Sequence, residues 1–165
     1  MSIDKLSTKE TKSSIQSDAN FIYQNIYLGS VISSNNYQWL KENKITHILG
    51  LIDYQHRYSD IKYLVYGDVD DMPGQNIIQN FKPTFKFIDE STKEGGNILI
   101  HCHAGISRST TIVVAYLMYK YGMSFTEAFD LTKKERPIVH PNYGFILQLK
   151  VFDDLSIEER KSFCS

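Results

Sequence analysis

Cysteine is scarce in this 165-residue chain. Only Cys102 and Cys164 occur, too few for a disulfide framework or a thiolate-built metal cluster. Net charge is nearly absent as well: 18 Lys and Arg stand against 19 Asp and Glu, so no electrostatic pull toward nucleic acid or an anionic membrane is expected. The longest unbroken apolar run, residues 112–118, falls well short of the ~20 residues that span a bilayer. No secretory leader is legible, and Met1-Ser2 lacks the glycine that N-myristoylation requires. Aromatic residues make up 13% of the chain, 11 of them tyrosines, but without basic clusters beside them they read as core and rim packing rather than a nucleic-acid stacking surface.

Against that plain background one stretch carries chemistry: His101-Cys102-His103-Ala104-Gly105-Ile106-Ser107-Arg108, followed by Ser109. The apolar run Ile98-Leu99-Ile100 leads in and a helix-like segment leads out, which predicts a strand, a tight loop and a helix N-terminus. Backbone N–H groups of such a loop, with the positive end of the helix, form a cradle for an anion. Arg108 adds a planar fork of donors suited to a phosphoryl group. The same field favours a thiolate: helix N-termini and nearby cations lower a cysteine pKa from ~8.5 to roughly 3.5–7.5. Cys102 is therefore the candidate nucleophile, with residues 103–108 as the phosphate-binding loop. Ser109 is placed to donate a hydrogen bond to sulfur when sulfur leaves, and His101 reads as a buried structural donor. His103 is read evenly as a side chain that modulates the charge of the cleft or as an inert loop residue.

Displacing an alkoxide or phenoxide from phosphorus requires an acid from another loop. Upstream, Tyr66-Gly67-Asp68-Val69-Asp70-Asp71-Met72-Pro73-Gly74 supplies three carboxylates after a strand-like run. Asp71, just before Met-Pro-Gly, is the first choice; Asp70 is the second and Asp68 a distant third. The competing reading of such a loop is a solvated turn or helix cap.

With both pieces in hand, the chain resembles the cysteine-based protein tyrosine phosphatases, and within them the small, atypical dual-specificity phosphatases. The resemblance rests on Ile26-Tyr27-Leu28-Gly29, Asp70-Asp71-x-Pro73, Asn76-Ile77, the Cys102–Ser109 signature, Ala115-Tyr116-Leu117-Met118 and Pro141-Asn142-x-x-Phe145-x-x-Gln148-Leu149, and covers about residues 24–155. In that family the acid lies about thirty residues before the cysteine, and Asp71 stands 31 before Cys102. Low-molecular-weight tyrosine phosphatases have the opposite order, and the classical enzymes are much longer. Gly50-Leu51-Ile52-Asp53 stands where the family often has Asn. Arg136 resembles a family position near the substrate groove that can meet a second phosphate; read by itself it is a solvated helix end. Asn142 is expected to cap the last helix and brace the arginine region.

The resemblance implies a phosphoprotein phosphatase acting on phosphotyrosine and phosphoserine/threonine, with no metal or organic cofactor. The alternatives are a phosphoinositide or RNA 5′-phosphate phosphatase, whose lipid-acting relatives usually carry lysines in the loop, or a phosphoprotein-binding module without turnover. Phosphoprotein substrates, a monomer, and a cytosolic or nuclear location in a reducing compartment are expected, with no nucleic-acid or membrane partner. Peroxide should inactivate Cys102 reversibly, with no obvious resolving cysteine.

Apolar patterning predicts strands at 25–28, 45–51, 62–66 and 97–102, and helices at 36–43, 76–90, 109–121, 125–136 and 142–155. Pro83 is expected to kink the second of these helices. Alternating strands and helices argue for a single α/β domain: a mainly parallel twisted sheet of four to five strands, flanked by helices on both faces. Residues 1–20 read as a flexible tail, 21–156 as the catalytic domain and 157–165 as a short charged tail.

Overall fold

The computed structural model describes residues 17–163 and 165. Five strands form one sheet in the order β1-β2-β5-β3-β4: β1 (Asn20–Tyr23), β2 (Ile26–Gly29), β3 (Ile45–Gly50), β4 (Lys62–Val65) and β5 (Asn97–His101). All neighbours are parallel except β1, which folds back on β2 as an antiparallel hairpin. The central strand β5 is apolar throughout because both of its faces are covered. Its alternating side chains serve two cores. Ile98 and Ile100 point into the large cluster beneath the main helices, while Leu99 joins Leu40, Ile45, Ile48 and Ile61 on the other face.

Helices α1 (Val31–Ser34) and α2 (Tyr37–Glu42) follow β2, and α3 (Phe81–Lys93) precedes β5. After β5 come α4 (Arg108–Tyr121), α5 (Phe125–Glu135), α6 (Tyr143–Asp154) and α7 (Ile157–Ser162). In α4 every residue from Ser109 to Met118 is buried, the mark of a helix wrapped on all sides. It packs against β2 and β5 and carries α3, α5, α6 and α7 around it. Its deep seating fixes the position of its N-terminus, beside Cys102. No helix among the described residues is long and apolar enough to cross a membrane.

Four expectations require correction. The helix expected over 76–90 begins instead as a 3-10 turn, Ile78–Asn80, and continues as α3 to Lys93. Pro83 therefore lies in the first turn of α3, where its missing N–H breaks no bond within the helix and no kink is imposed. The segment 157–165 is not simply a charged tail. Ser156 and Glu159 form a capping box at the start of α7, and the buried Arg160 donates to the carbonyls of Met118, Met123, Asp153 and Leu155. At the other end, Asn20 already belongs to β1 and Asp18 pairs with Arg136, so the packed chain starts before residue 21. The rest of the expected N-terminal tail, residues 1–16, and Cys164 lie outside the described residues.

Candidate active site

The loop between β5 and α4 turns four successive carbonyls away from its centre. His103 O accepts from Val31 N (3.1 Å) and Ile106 O from His140 N (2.8 Å). Between them, Ala104 O and Gly105 O accept from the Arg136 guanidinium at 3.1 and 2.9 Å. Across a trans peptide the N–H points opposite to the carbonyl, so the amides of residues 104–107 converge on the inner side. Gly105 adopts φ +67°, and a Cβ there would run into the Gly29 carbonyl, so the turn requires glycine.

Cys102 sits at the focus of those amides, 3% exposed. Its Sγ lies 3.1 Å from Ser109 Oγ and receives the Gly105 N–H at 3.3 Å. Burial pushes the thiol pKa up. Hydrogen bonds from the Ser109 hydroxyl and from the amides of Ser109, Gly105 and Ile106 outweigh it, and the net shift is downward. His101, fully buried, has its pKa pushed down to about 4 by desolvation and stays neutral. Its Nδ1 lies 3.2 Å from Cys102 O, and its ring meets Tyr54 edge-on. That contact makes it part of the frame behind Cys102.

Arg108 opens α4 and reaches across to the acid loop, where Nη1 donates to Val69 O at 3.2 Å. Its buried Nε has no acceptor among the described residues, so the guanidinium keeps a donor for an anion seated over Sγ. Val69 is itself buried and anchors the loop that bears the carboxylates. Beyond it, Asp68, Asp70 and Asp71 are all exposed. They differ in what holds them. Asp71 Oδ1 accepts from Asn142 Nδ2 at 2.9 Å, whereas at Asp70 it is the backbone N–H that is held, by Gln75 Oε1.

Asn142 joins three parts of the site. Its Oδ1 caps α6 through Phe145 N, its backbone N–H donates to Ser107 Oγ, and its amide group holds Asp71. Six residues on, Gln148 accepts from Ile77 N and Ile78 N and donates to Gln75 O, fastening the far side of the acid loop to α6. Gly144 allows this approach, since a Cβ at that position would overlap the Pro73 carbonyl. His103 and Ala104 lie exposed at the mouth, beside a shallow groove of about 380 Å³ that Ile32 and Ile138 also line.

Arg136 departs from both readings made of it. It is 2% exposed and bound to the back of the loop, to Asn20 Oδ1 (2.9 Å) and to Asp18 (3.3 Å), so it is neither a solvated helix end nor free to meet a second phosphate. The roles of Asp18, Val31, His140 and Gln148 escaped the sequence reading. Only the placement of Arg136 before a proline, at the end of α5, hinted at a special position.

The catalytic-domain model of the dual specificity phosphatases matches residues 26–154, and the chain belongs to that family. It is 47% identical over 137 residues to MAP kinase phosphatase with leucine-rich repeats protein 1 of Dictyostelium discoideum, covering 82% of this chain and 16% of that protein. With dual specificity protein phosphatase 1B of Arabidopsis thaliana it shares 39% identity over 137 residues, 82% of each chain. The crystal structure of DUSP15 superposes with a TM-score of 0.82 at 38% identity, over 88% of this chain and 94% of the other. Three of the curated Dictyostelium relatives are much longer; the chain spans 16%, 19% and 29% of their lengths.

Proposed function

We propose that the chain hydrolyses phosphotyrosine and phosphoserine/threonine in proteins through a cysteinyl-phosphate intermediate. The observation that carries this reading is the position of Cys102 Sγ, within reach of Ser109 Oγ and the loop amides, its pKa lowered despite burial. The thiolate attacks phosphorus in line, and the P–O bond to the side chain breaks as Asp71 gives its proton to the leaving oxygen. Asp71, now a carboxylate, takes a proton from water as water attacks the phosphocysteine. The P–S bond then breaks, with the Ser109 hydroxyl stabilising the departing thiolate. Arg108 and the inward amides hold the equatorial oxygens throughout, which is electrostatic preorganisation.

The side chains of His103, Ala104, Ile106 and Ser107 bring no lysine to the loop, which favours a protein over an inositol lipid. The test is phosphate release from a peptide carrying phosphothreonine and phosphotyrosine, with a phosphoinositide and an RNA 5′-triphosphate in parallel. Cys102→Ser serves as blank, and Asp71→Ala is compared with Asp70→Ala. Loss of both peptide phosphates, abolished by the first variant and slowed ~10²–10⁴-fold by Asp71→Ala alone, is expected. Release confined to lipid or RNA, or no release at all, would overturn the proposal.

A further inference from the structure

At the far end of the sheet from Cys102, a buried imidazole faces two carboxylates. His47 on β3 is fully buried, yet its Nε2 has no hydrogen-bond partner among the described residues. The nearest acceptor, Glu94 Oε2, is 3.6 Å away, too long for a hydrogen bond. Glu90 lies in the last turn of α3 and Glu94 is its C-cap. One ligand atom from each of His47, Glu90 and Glu94 can be chosen so that all three lie within 4.8 Å of one another. Two carboxylates at the negative end of a helix are electrostatically misplaced unless a cation joins them. Lys62 now supplies that cation, with Nζ 2.6 Å from Glu94 and 3.2 Å from Glu90.

We propose that His47, Glu90 and Glu94 form a site for a divalent transition-metal ion such as Zn²⁺, which displaces Lys62 and clamps β3 to the end of α3. Two ligands ~2.1 Å from one tetrahedral ion are about 3.4 Å apart, close to the existing Nε2–Oε2 gap. The imidazole is prepared as a neutral donor. Thr46 Oγ1 lies 2.7 Å from Nδ1, the outer partner that fixes ring orientation in metal-bound histidines, and the ring is wedged edge-on against Phe87. Burial holds its pKa below the usual histidine value. The carboxylates are exposed enough to rotate inward, and Lys62 is 54% exposed and leaves at little cost. In sheet register His47 pairs with Ile98, roughly 13 Å of strand from Cys102. The site is thus separate from the phosphate loop.

The test is calorimetric titration of the full chain with ZnCl₂ in a Cys102→Ser/Cys164→Ser background, so that neither thiol competes. One Zn²⁺ per chain should bind. Glu94→Gln and His47→Ala should each weaken binding at least tenfold, and Lys62→Ala should tighten it severalfold by removing the competing ammonium. Glu94→Gln changes an exposed group, so the test survives if His47→Ala fails to fold. No saturable binding, binding that Glu94→Gln leaves unchanged, or an affinity that Lys62→Ala does not raise would overturn the proposal.

Discussion

Replacing Arg136 with methionine keeps the buried volume near α5 and removes the two donors that hold the middle of the phosphate loop, leaving those from Val31 and His140 in place. Two of its partners, the carbonyls of Ala104 and Gly105, are then left without this donor, and the second of them is buried. At ~1–3 kcal/mol for a buried unsatisfied acceptor, the loss is about 1–3 kcal/mol from Gly105 O, and the more exposed Ala104 O adds little. The ion pair with Asp18 adds little, because that carboxylate is 41% exposed. A domain of ordinary stability, ~5–15 kcal/mol, tolerates this and remains folded at 25 °C. The chemical effect should be larger than the thermodynamic one. Peptides 104–106 are free to rotate, the amides of Gly105 and Ile106 leave Sγ, and the Cys102 pKa rises. Urea unfolding reads the stability, the pH dependence of iodoacetamide alkylation reads the thiolate, and p-nitrophenyl phosphate reads turnover. Expected are a lower urea midpoint, an alkylation midpoint moved to higher pH and a kcat reduced ~100-fold or more. Arg136→Lys, which keeps the charge without the fork, should recover only part of each. Lowered stability with the Cys102 titration unmoved and kcat within threefold of the parent would refute the argument, leaving Arg136 a packing residue.

Other predictions address single groups. Ser109→Ala should raise the Cys102 alkylation midpoint and accumulate phosphocysteine in rapid-quench experiments, because the hydroxyl 3.1 Å from Sγ is lost; an unchanged midpoint and no accumulation would count against it. Asn142→Ala frees the Asp71 carboxyl and should lower kcat ~10–100-fold for substrates with poor leaving groups, with much less effect on p-nitrophenyl phosphate. Equal losses on both substrates would show that the Asn142 side chain acts only through its cap on α6, since alanine keeps the backbone N–H that meets Ser107. His101 is neutral in the fold and charged in the unfolded chain below pH ~6.5, so the unfolded state binds more protons as pH falls toward 4. That group should remove about 3 kcal/mol of stability between pH 6.5 and 4, and its ring should titrate near 4 by NMR rather than near 6.5.

What was legible in the sequence had local causes. Cys102, the loop and the helix that follows occupy contiguous residues, and the apolar runs of β3 and β5 are long enough to declare buried parallel strands. The hairpin strand β1 was not legible: it has four residues, one of them the exposed Phe21, and it turns through Gln24 at a positive φ without a glycine. Helix α7 reads as a charged tail because the bonds that settle it run from Arg160 to carbonyls up to 42 residues away. Arg136 misleads for the same reason. Its neighbours Lys133, Lys134 and Glu135 are exposed, and only partners brought close by β1 and the phosphate loop bury it. The contact that distinguishes Asp71 from Asp70 likewise comes from Asn142, a residue 71 positions downstream.

The acid loop is fastened along its length, at Val69 by Arg108, at Asp70 by Gln75, at Asp71 by Asn142 and at Ile77 and Ile78 by Gln148. A segment so tied has already surrendered most of its conformational entropy during folding. At roughly 1–2 kcal/mol for each backbone residue ordered, a free loop of this length would forfeit much of its binding energy each time substrate arrived. Here the cost falls once, on the folding of the domain, and contact energy at the mouth of the site remains available for affinity. The same fastening limits adaptability: on the proposed reading, Asp71 stays where Asn142 holds it, and a substrate has to bring its phosphate to the loop.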